Sequence, residues 1–151
     1  MTSYQPIRIL IADDDPDDCL LMRDAFEENR LVSEVSFVHD GVELLEHLKG
    51  CVESETLKLP GLILLDLNMP LMDGREALQV IKTDAQLRSI PVVVLSTSSE
   101  ARDVADSYEH GANAYVTKPS SYSDLTRVAQ TLSDHWLETV QLPGEPNTHE
   151  R

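Results

Sequence analysis

The sequence is poor in basic residues, in aromatic residues and in cysteine. Its 151 residues include 12 Lys and Arg against 27 Asp and Glu, which gives a formal net charge of −15. Because nucleic acids and anionic lipid surfaces both bind basic patches, this balance argues against either as a partner. The two cysteines, Cys19 and Cys51, are too few for a disulfide framework, so a reducing cytoplasmic location is the simplest expectation.

Long apolar runs and nucleotide-binding motifs are also missing. No stretch approaches the roughly 18 apolar residues of a membrane-spanning helix, and the N-terminal MTSYQPIR does not resemble a signal peptide. Neither a G-x-x-x-x-G-K-[ST] loop nor a G-x-G-x-x-G turn is present to cradle phosphates. The five histidines are scattered without metal-ligand spacing. We therefore expect a globular protein that has no nucleotide site of its own.

What the sequence does contain is an alternation of short apolar runs with helical patterns. The apolar runs predict strands at residues 7–12, 32–38, 61–67, 90–96 and 113–118. The helical patterns predict helices at residues 16–29, 41–50, 75–84, 99–111 and 121–140, with Gly50 ending the second and Gly111 the fourth. Five successive β/α units predict an α/β fold, in which a doubly wound parallel sheet of five strands carries helices on both faces. Residues 142–151 are expected to form a flexible C-terminal tail.

Polar side chains follow the predicted strands at the point where each strand ends. Because the carboxyl ends of parallel strands face one crevice of such a sheet, we expect these side chains to lie close together. Carboxylate oxygens suit Mg²⁺, whereas an ammonium group and a hydroxyl suit the oxygens of a phosphoryl group. The set consists of Asp13 and Asp14 after the first strand, Asp66 after the third, Ser96 and Thr97 after the fourth, and Thr117 and Lys118 after the fifth.

Five aspartates crowd the end of the first strand and the start of the first helix. The mutual repulsion of residues 13–14 is tolerable if a divalent cation lies between them and Asp66. Asp15, Asp17 and Asp18 are expected to face solvent near the helix start, where the helix dipole favours negative charge. A calcium-binding EF-hand loop is excluded, because Asp18 stands where that loop requires glycine.

Four segments, in order and at matching spacing, resemble the receiver domain of two-component response regulators: ILIADDD, LILLDLNMPLMDG, IPVVVLST and GANAYVTKP. The resemblance covers residues 7–132 and implies a flavodoxin-like (βα)5 fold. It implies that Asp66 attacks a phosphohistidine of a sensor histidine kinase and becomes an aspartyl phosphate. Such a protein is a phosphoacceptor with self-catalysed phosphotransfer and dephosphorylation rather than an enzyme.

The resemblance also implies a role for each of the other matching residues. Ser96 stands where Thr is frequent in the family and keeps the hydroxyl, whereas Thr97 stands where Ala is frequent. The implied roles are Mg²⁺ binding by Asp13, Asp14, Asp66 and the backbone carbonyl of Asn68, phosphoryl contact by Lys118, switching by Ser96 and Tyr115, and tuning of the phosphoaspartate lifetime by Asn68, Thr97 and Ser98.

A narrower resemblance links the segment HWLETVQLP and the loop at residues 51–61 to single-domain cyanobacterial phytochrome response regulators. It implies a phytochrome-type histidine kinase as partner. Residues 1–141 are then expected to form one receiver domain without an output domain, which passes its signal on by a change of surface or by homodimerisation through helix 4, strand 5 and helix 5. Because the last helix should project beyond the sheet, its apolar residues are expected to form the dimer or partner surface: Trp136, Leu137, Val140 and Leu142.

The same residues admit other interpretations. A phosphatase of the haloacid dehalogenase type would need an acid two residues after its nucleophile, where this chain has Asn68. A receiver that docks without phosphorylation would not need the intact Asp66, Asp14 and Lys118. Plain packing stays an equal alternative for Tyr115, and ordinary burial beneath the tail stays one for the apolar residues of the last helix.

Overall fold

Strands and helices alternate along the chain in the computed structural model, which describes residues 7–29 and 32–139. The last α-helix continues without a break into a π-helical segment, Asp134–Thr139. The elements are β1 (Ile7–Ala12), α1 (Pro16–Glu27), β2 (Val32–Val38), α2 (Gly41–Glu53), β3 (Leu62–Leu65), α3 (Gly74–Thr83), β4 (Val92–Ser96), α4 (Ala101–Glu109), β5 (Ala114–Thr117) and α5 (Tyr122–Ser133).

The five strands form one parallel sheet in the order β2-β1-β3-β4-β5. The predicted doubly wound, flavodoxin-like architecture is confirmed. In this order the chain first winds to one side of β1 and then to the other, so a crevice opens at the carboxyl ends of β1 and β3. The three central strands are apolar, as strands covered on both faces must be, apart from Arg8 near the start of β1 and the final Ser96 of β4.

Successive residues of β1 point into two separate cores, as the two-residue period of a strand requires. Ile9 and Ile11 pack with Phe26 beneath α1 and α5, in what we call the α1/α5 core. Leu10 packs with Leu44 beneath α2 and α3, on the opposite face. α4 contacts β5, and among its nine residues, all of them described, only Ser107 is buried.

The predicted end of the second helix differs from the structure. α2 continues through the exposed Gly50 to Glu53, so the prediction that Gly50 ends this helix is wrong. Leu44, Leu48 and Cys51 follow one another on its buried side, and burying Cys51 offsets the cost of about 1 kcal/mol that a glycine adds inside a helix. The long last helix is present as far as Thr139, while the predicted tail lies outside the described residues.

Candidate functional site

Three carboxylates meet where β1 and β3 end. Asp13, Asp14 and Asp66 each offer an oxygen, and these atoms lie within 4.8 Å of one another. The backbone N–H of Asp13 donates to Val38 O at 3.0 Å and that of Asp66 donates to Ala12 O at 2.9 Å, so the sheet itself holds both residues. Asp13 is 1% exposed and Asp66 is also buried, whereas Asp14 is exposed. A close group of hard oxygen ligands with one open side fits a divalent cation that keeps some of its waters.

The loop after β3 is held in place by two glycines. A Cβ atom at Gly74 would lie 2.3 Å from Asp66 O, and one at Gly41 would lie 2.1 Å from Met72 O, so neither position admits a side chain. Their N–H groups donate to Leu67 O and Met72 O at 2.8 and 3.0 Å. The sequence analysis missed both residues, although the pair Asp73-Gly74 marks a capped helix start and Asp73 does cap α3. The loop therefore reaches α3 along a fixed path beside Asp66.

The buried ammonium group of Lys118 lies among three carboxylates. Its Nζ atom is 2.7 Å from Asp13 Oδ2, 3.0 Å from Asp18 Oδ2 and 3.3 Å from Asp66 Oδ2. An ammonium group carries three donors, so each proton has one carboxylate partner. The second oxygen of Asp66 accepts the backbone N–H of Asn68 at 3.0 Å. The repulsion between the aspartates is thus balanced by a lysine, in addition to any cation.

The position of Asp18 corrects the sequence prediction. Asp15 and Asp17 are exposed as predicted, and Asp15 caps α1 by accepting the N–H groups of Asp17 and Asp18 at 2.9 and 3.3 Å. Asp18, expected to face solvent, is buried instead and pairs with Lys118. The helical period could have shown this, because Asp18 precedes the buried Met22 by four residues and Ala25 by seven.

Burial and pairing act in opposite directions on the charges of this site. Burial raises the pKa of Asp13 and of Asp66 above 3.8, and the hydrogen bonds from backbone N–H groups and from Lys118 only partly oppose it. For Lys118, burial alone would lower the pKa. The hydrogen bond and charge of Asp13, with further contributions from Asp66 and Asp18, outweigh burial and raise the pKa above 10.5. The ammonium group therefore stays charged at neutral pH.

Ser98 links the site to the neighbouring helices. Its N–H donates to the fully buried Ser96 Oγ at 3.2 Å, and its backbone carbonyl accepts the Tyr115 hydroxyl at 2.7 Å. Its own hydroxyl donates to Asp103 Oδ2 at 2.6 Å, and Asp103 Oδ1 accepts from Arg75 Nη2 at 3.1 Å. These hydrogen bonds from Ser98 and Arg75 lower the pKa of Asp103. A chain of contacts thus runs from the end of β4 to α3, α4 and β5.

The remaining predicted residues lie around this chain of contacts. Tyr115 is half-buried, and its N–H donates to the Tyr108 hydroxyl at 3.1 Å. Packing and switching are therefore both compatible with its position. Thr97 and Asn68 are exposed at the rim of the crevice, and their tuning roles stay predictions.

The predicted partner surface on the last helix is described only in part. Trp136 is half-buried and packs against the α1/α5 core, with its ring edge-on to His135 at 5.4 Å between centroids. The side chain of Leu137, and Val140 and Leu142 altogether, lie outside the described residues. Within the described ranges, no helix combines the length and the apolar character needed to cross a bilayer.

Comparison with known proteins gives consistent matches over almost the whole chain. The family model of the response regulator receiver domain matches residues 9–130. Response regulator Rcp1 of Synechocystis sp. is 40% identical over 142 residues, which are 94% of this chain and 97% of the relative. The crystal structure of the phosphorylated cyanobacterial phytochrome response regulator RcpA matches with a TM-score of 0.87 and 39% identity, over 92% of this chain and 99% of that one. The Mn²⁺-bound form of response regulator Rcp1 matches with a TM-score of 0.85 and 40% identity, over 91% and 99%.

Proposed function

Because this chain belongs to the response regulator receiver domain family, whose partners are histidine kinases, we propose that Asp66 is the residue that accepts the phosphoryl group. The observation that supports this assignment is the pairing at Asp66. One carboxylate oxygen accepts the N–H of Asn68, and the other lies 3.3 Å from the Lys118 ammonium group, beside the carboxylates of Asp13 and Asp14. Asp13 is paired in the same way, with the N–H of Asp15 at 2.9 Å and Lys118 Nζ at 2.7 Å, so the choice of Asp66 as nucleophile also rests on its place in the receiver-domain match.

The transfer step follows from this arrangement. A carboxylate oxygen of Asp66 forms a bond to phosphorus, the P–N bond of the kinase phosphohistidine breaks, and its electron pair returns to the imidazole. Phosphoryl transfer depends on positioning and on neutralising charge more than on acid–base chemistry. Lys118 can donate to a phosphoryl oxygen, since its Nζ already reaches the acceptor carboxylate.

Mg²⁺ is the cation that we propose for the three-carboxylate group. Asp13, Asp14 and Asp66, with the backbone carbonyl of Asn68, would hold it, and it would neutralise charge on the phosphoryl oxygens. The bound Mn²⁺ of the similar Rcp1 supports a divalent cation of this size class. Calorimetric titration with Mg²⁺ and with Mn²⁺ would show which of the two ions the site binds more tightly.

The proposed output is a shift of population between two arrangements of the α4–β5–α5 face. Ser96 Oγ would move onto a phosphoryl oxygen and release the N–H of Ser98, and Tyr115 would respond because its hydroxyl is bonded to the same residue. Homodimerisation through this face, with Trp136 at its edge, is the proposed consequence. Sedimentation of phosphorylated wild type and Trp136→Ala tests it. A monomeric wild type, or an equally strong dimer in the variant, would remove Trp136 from the interface.

A phytochrome-type histidine kinase is the proposed donor. The support is the similarity to RcpA, which is described as a phytochrome response regulator and was crystallised phosphorylated. Phosphotransfer profiling against a panel of sensor kinases checks this pairing. We expect transfer from a phytochrome-type kinase to be the fastest, and faster transfer from a kinase without a chromophore domain would reject it.

The phosphoacceptor itself is tested with radiolabelled acetyl phosphate and with a phosphorylated kinase. Wild type should take up label in Mg²⁺ and lose this ability in EDTA, and Asp66→Asn should take up none. Asp24→Asn, which removes an exposed carboxylate of α1, serves as the matched control and should label like wild type. Equal labelling of Asp66→Asn would dismiss Asp66 as acceptor. Kinase binding without any labelling would favour a phosphorylation-independent docking module.

A further inference from the structure

Asp18 is a fourth carboxylate at the site, and it stands apart from the other three. Its Oδ2 lies 3.0 Å from Lys118 Nζ, whereas the group of carboxylates close enough to share a cation consists of Asp13, Asp14 and Asp66. We propose that Asp18 is a positioning residue, which holds the Lys118 ammonium group in the crevice while the other carboxylates bind the cation and the phosphoryl group. This inference deepens the proposed function and rests on it.

Two of the three carboxylates that pair with Lys118 are also proposed to bind the cation or to accept the phosphoryl group. Asp13 lies nearest to the Lys118 Nζ, at 2.7 Å, and Asp66 lies at 3.3 Å. A bound divalent cation would attract the oxygens of both residues, and phosphorylation would remove the carboxylate charge of Asp66. Of the three carboxylate partners of Lys118, Asp18 alone would keep a full negative charge directed at the ammonium group throughout the transfer.

The fold makes Asp18 a rigid anchor. It lies in the first turn of α1, where Pro16 stands at the first helical positions and Asp15 caps the N–H groups. One turn later the fully buried Met22 fixes the helix against the α1/α5 core. A negative charge at this end of a helix is also favoured by the helix dipole. The position of the Asp18 carboxylate is therefore set by the capped start of α1 and the packing of the helix, as well as by Lys118.

At the other end of the pair, Lys118 follows β5 and is fixed by its backbone. Its N–H donates to Ser96 O at 2.6 Å, and this hydrogen bond holds its backbone against the end of β4. The long side chain still has several rotatable bonds, and the ammonium group needs a constant partner to stay at one place. Because Asp18 and Lys118 are 100 residues apart in sequence, the contact ties α1 to the end of β5 directly across the crevice.

Removing this anchor should slow transfer without weakening the encounter with the donor. With acetyl phosphate and saturating Mg²⁺, we expect Asp18→Ala to lower the maximal labelling rate about tenfold or more, since displacement of a catalytic group by about 1 Å costs that much. The half-saturating concentration of acetyl phosphate should change less than about twofold, because Asp18 does not bind the donor. Asp18→Asn, whose amide oxygen still accepts from Lys118, should lie between Asp18→Ala and wild type, and Asp24→Asn should match wild type.

A spectroscopic readout separates positioning from a general loss of structure. The chain has only four lysines, so the ammonium groups give few signals in a ¹H–¹⁵N correlation spectrum. The Lys82 Nζ donates to Arg88 O, Ile90 O and Asn113 Oδ1 at 3.1, 2.7 and 3.1 Å. Because none of these partners hydrogen-bonds to Lys118 or Asp18 within the described part of the chain, the Lys82 signal serves as an internal reference. In Mg²⁺-loaded Asp18→Ala, the Lys118 signal should broaden or disappear while the Lys82 signal stays.

Failure of the positioning role of Asp18 can be distinguished from failure of the proposed phosphoacceptor role of Asp66. An unlabelled wild type would overturn the proposed phosphoacceptor, and the Lys118 signal would still decide the role of Asp18. A wild-type maximal rate together with an unchanged Lys118 signal in Asp18→Ala would overturn the positioning role, and so would loss of both ammonium signals in a folded Asp18→Asn. If Asp18→Ala does not fold, Asp18→Asn decides by the same two measurements.

Discussion

The hydroxyl of Tyr115 donates a 2.7 Å hydrogen bond to the backbone carbonyl of Ser98. The N–H of that same residue donates to Ser96 Oγ, so one residue joins the aromatic ring on β5 to the buried hydroxyl on β4. A shift of either side chain must therefore be accommodated by the loop after β4. The proposed switching role of Tyr115 depends on this connection.

Tyr115→Phe should lower the free energy of unfolding by about 0.5–1.5 kcal/mol, the net value of one hydrogen bond. The ring and its packing are retained, so the lost hydroxyl is the only change. Urea denaturation of both proteins measures the difference. Tyr122→Phe removes an exposed hydroxyl and should change stability by less than about 0.5 kcal/mol. Equal effects of the two substitutions would show that the bond to Ser98 contributes no more than the exposed hydroxyl of Tyr122 does.

Lys118→Ala should lower the free energy of unfolding in EDTA by about 3 kcal/mol, because it leaves buried carboxylates without their partner. Added Mg²⁺ should restore much of this loss, since a cation neutralises the same carboxylates. Urea denaturation with and without Mg²⁺ provides the measurement, and Lys49→Ala is the exposed control. A loss that Mg²⁺ does not reduce would contradict the idea that lysine and cation balance the same charges.

Asp66→Asn should become progressively more stabilising, relative to wild type, as the pH rises from 4 to 7 in EDTA. Burial raises the pKa of Asp66 above 3.8, so the folded protein binds this proton more tightly than the unfolded chain does. Its contribution to stability is complete below pH 3.8 and is lost as the pH rises through the raised pKa, where the carboxylate must ionise. Asparagine has no proton to lose.

Denaturation at several pH values measures this difference, with Asp24→Asn as a control for net charge. A difference between wild type and Asp66→Asn that is constant from pH 4 to 7 would mean that the pKa of Asp66 is not raised by folding.

Asp14→Asn should separate cation binding from folding. Asp14 is exposed, so its loss should change the metal-free stability by less than about 0.5 kcal/mol. Wild type should gain about 2.7 kcal/mol at a Mg²⁺ concentration one hundred times its Kd. The variant should gain less at the same concentration, because one of the three carboxylates is gone. Thermal unfolding across a Mg²⁺ titration measures both quantities, and identical titration curves would remove Asp14 from the site.

Leu71→Asn should stabilise the protein by up to about 1 kcal/mol, because leucine strains a left-handed backbone that asparagine tolerates. Leu71 has a φ of 68° and is 82% exposed, so little apolar burial is lost. Leu20→Asn makes the same substitution at an exposed position in the ordinary helical backbone of α1 and should destabilise instead. Destabilisation at Leu71 in urea denaturation would show that the loop gains from its apolar side chain.

The order of strands and helices was predictable because the apolar runs and helical patterns are local properties. The predicted bounds of the elements were wrong where tertiary packing overrides a local preference. At Gly50, for example, α2 continues because Cys51 is buried. The positions of Asp13, Asp14, Asp66 and Lys118 followed from a topological rule, since parallel strands bring their carboxyl ends together. Their mutual distances required the fold itself.

Contacts between distant elements were not predictable in this way. The pairing of Asp18 with Lys118 joins α1 to the end of β5, and four further aspartates among the five residues that precede Asp18 suggest a solvated helix start. The bonds of Ser98 to Tyr115 and Asp103 depend on the path of one loop. The close approach of Gly41 to the Met72 backbone depends likewise on how α2 packs.

Little of α4 is buried, and this determines how much free energy a movement of the helix requires. Glu100, the N-cap residue that precedes the helix, makes no side-chain capping bond within the described residues, and Ser107 is the one buried residue of the helix. Detaching or rotating it would expose little apolar area, so the main cost is breaking the contacts of Asp103 with Ser98 and Arg75 and the Tyr108–Tyr115 hydrogen bond. Reversing a strongly biased two-state equilibrium takes about 5.5 kcal/mol, which a few charge-assisted hydrogen bonds can supply. If Asp66 accepts a phosphoryl group as proposed, hydrogen bonds to that anion beside Ser96, at the end of β4 from which α4 follows, would supply a free energy of this order.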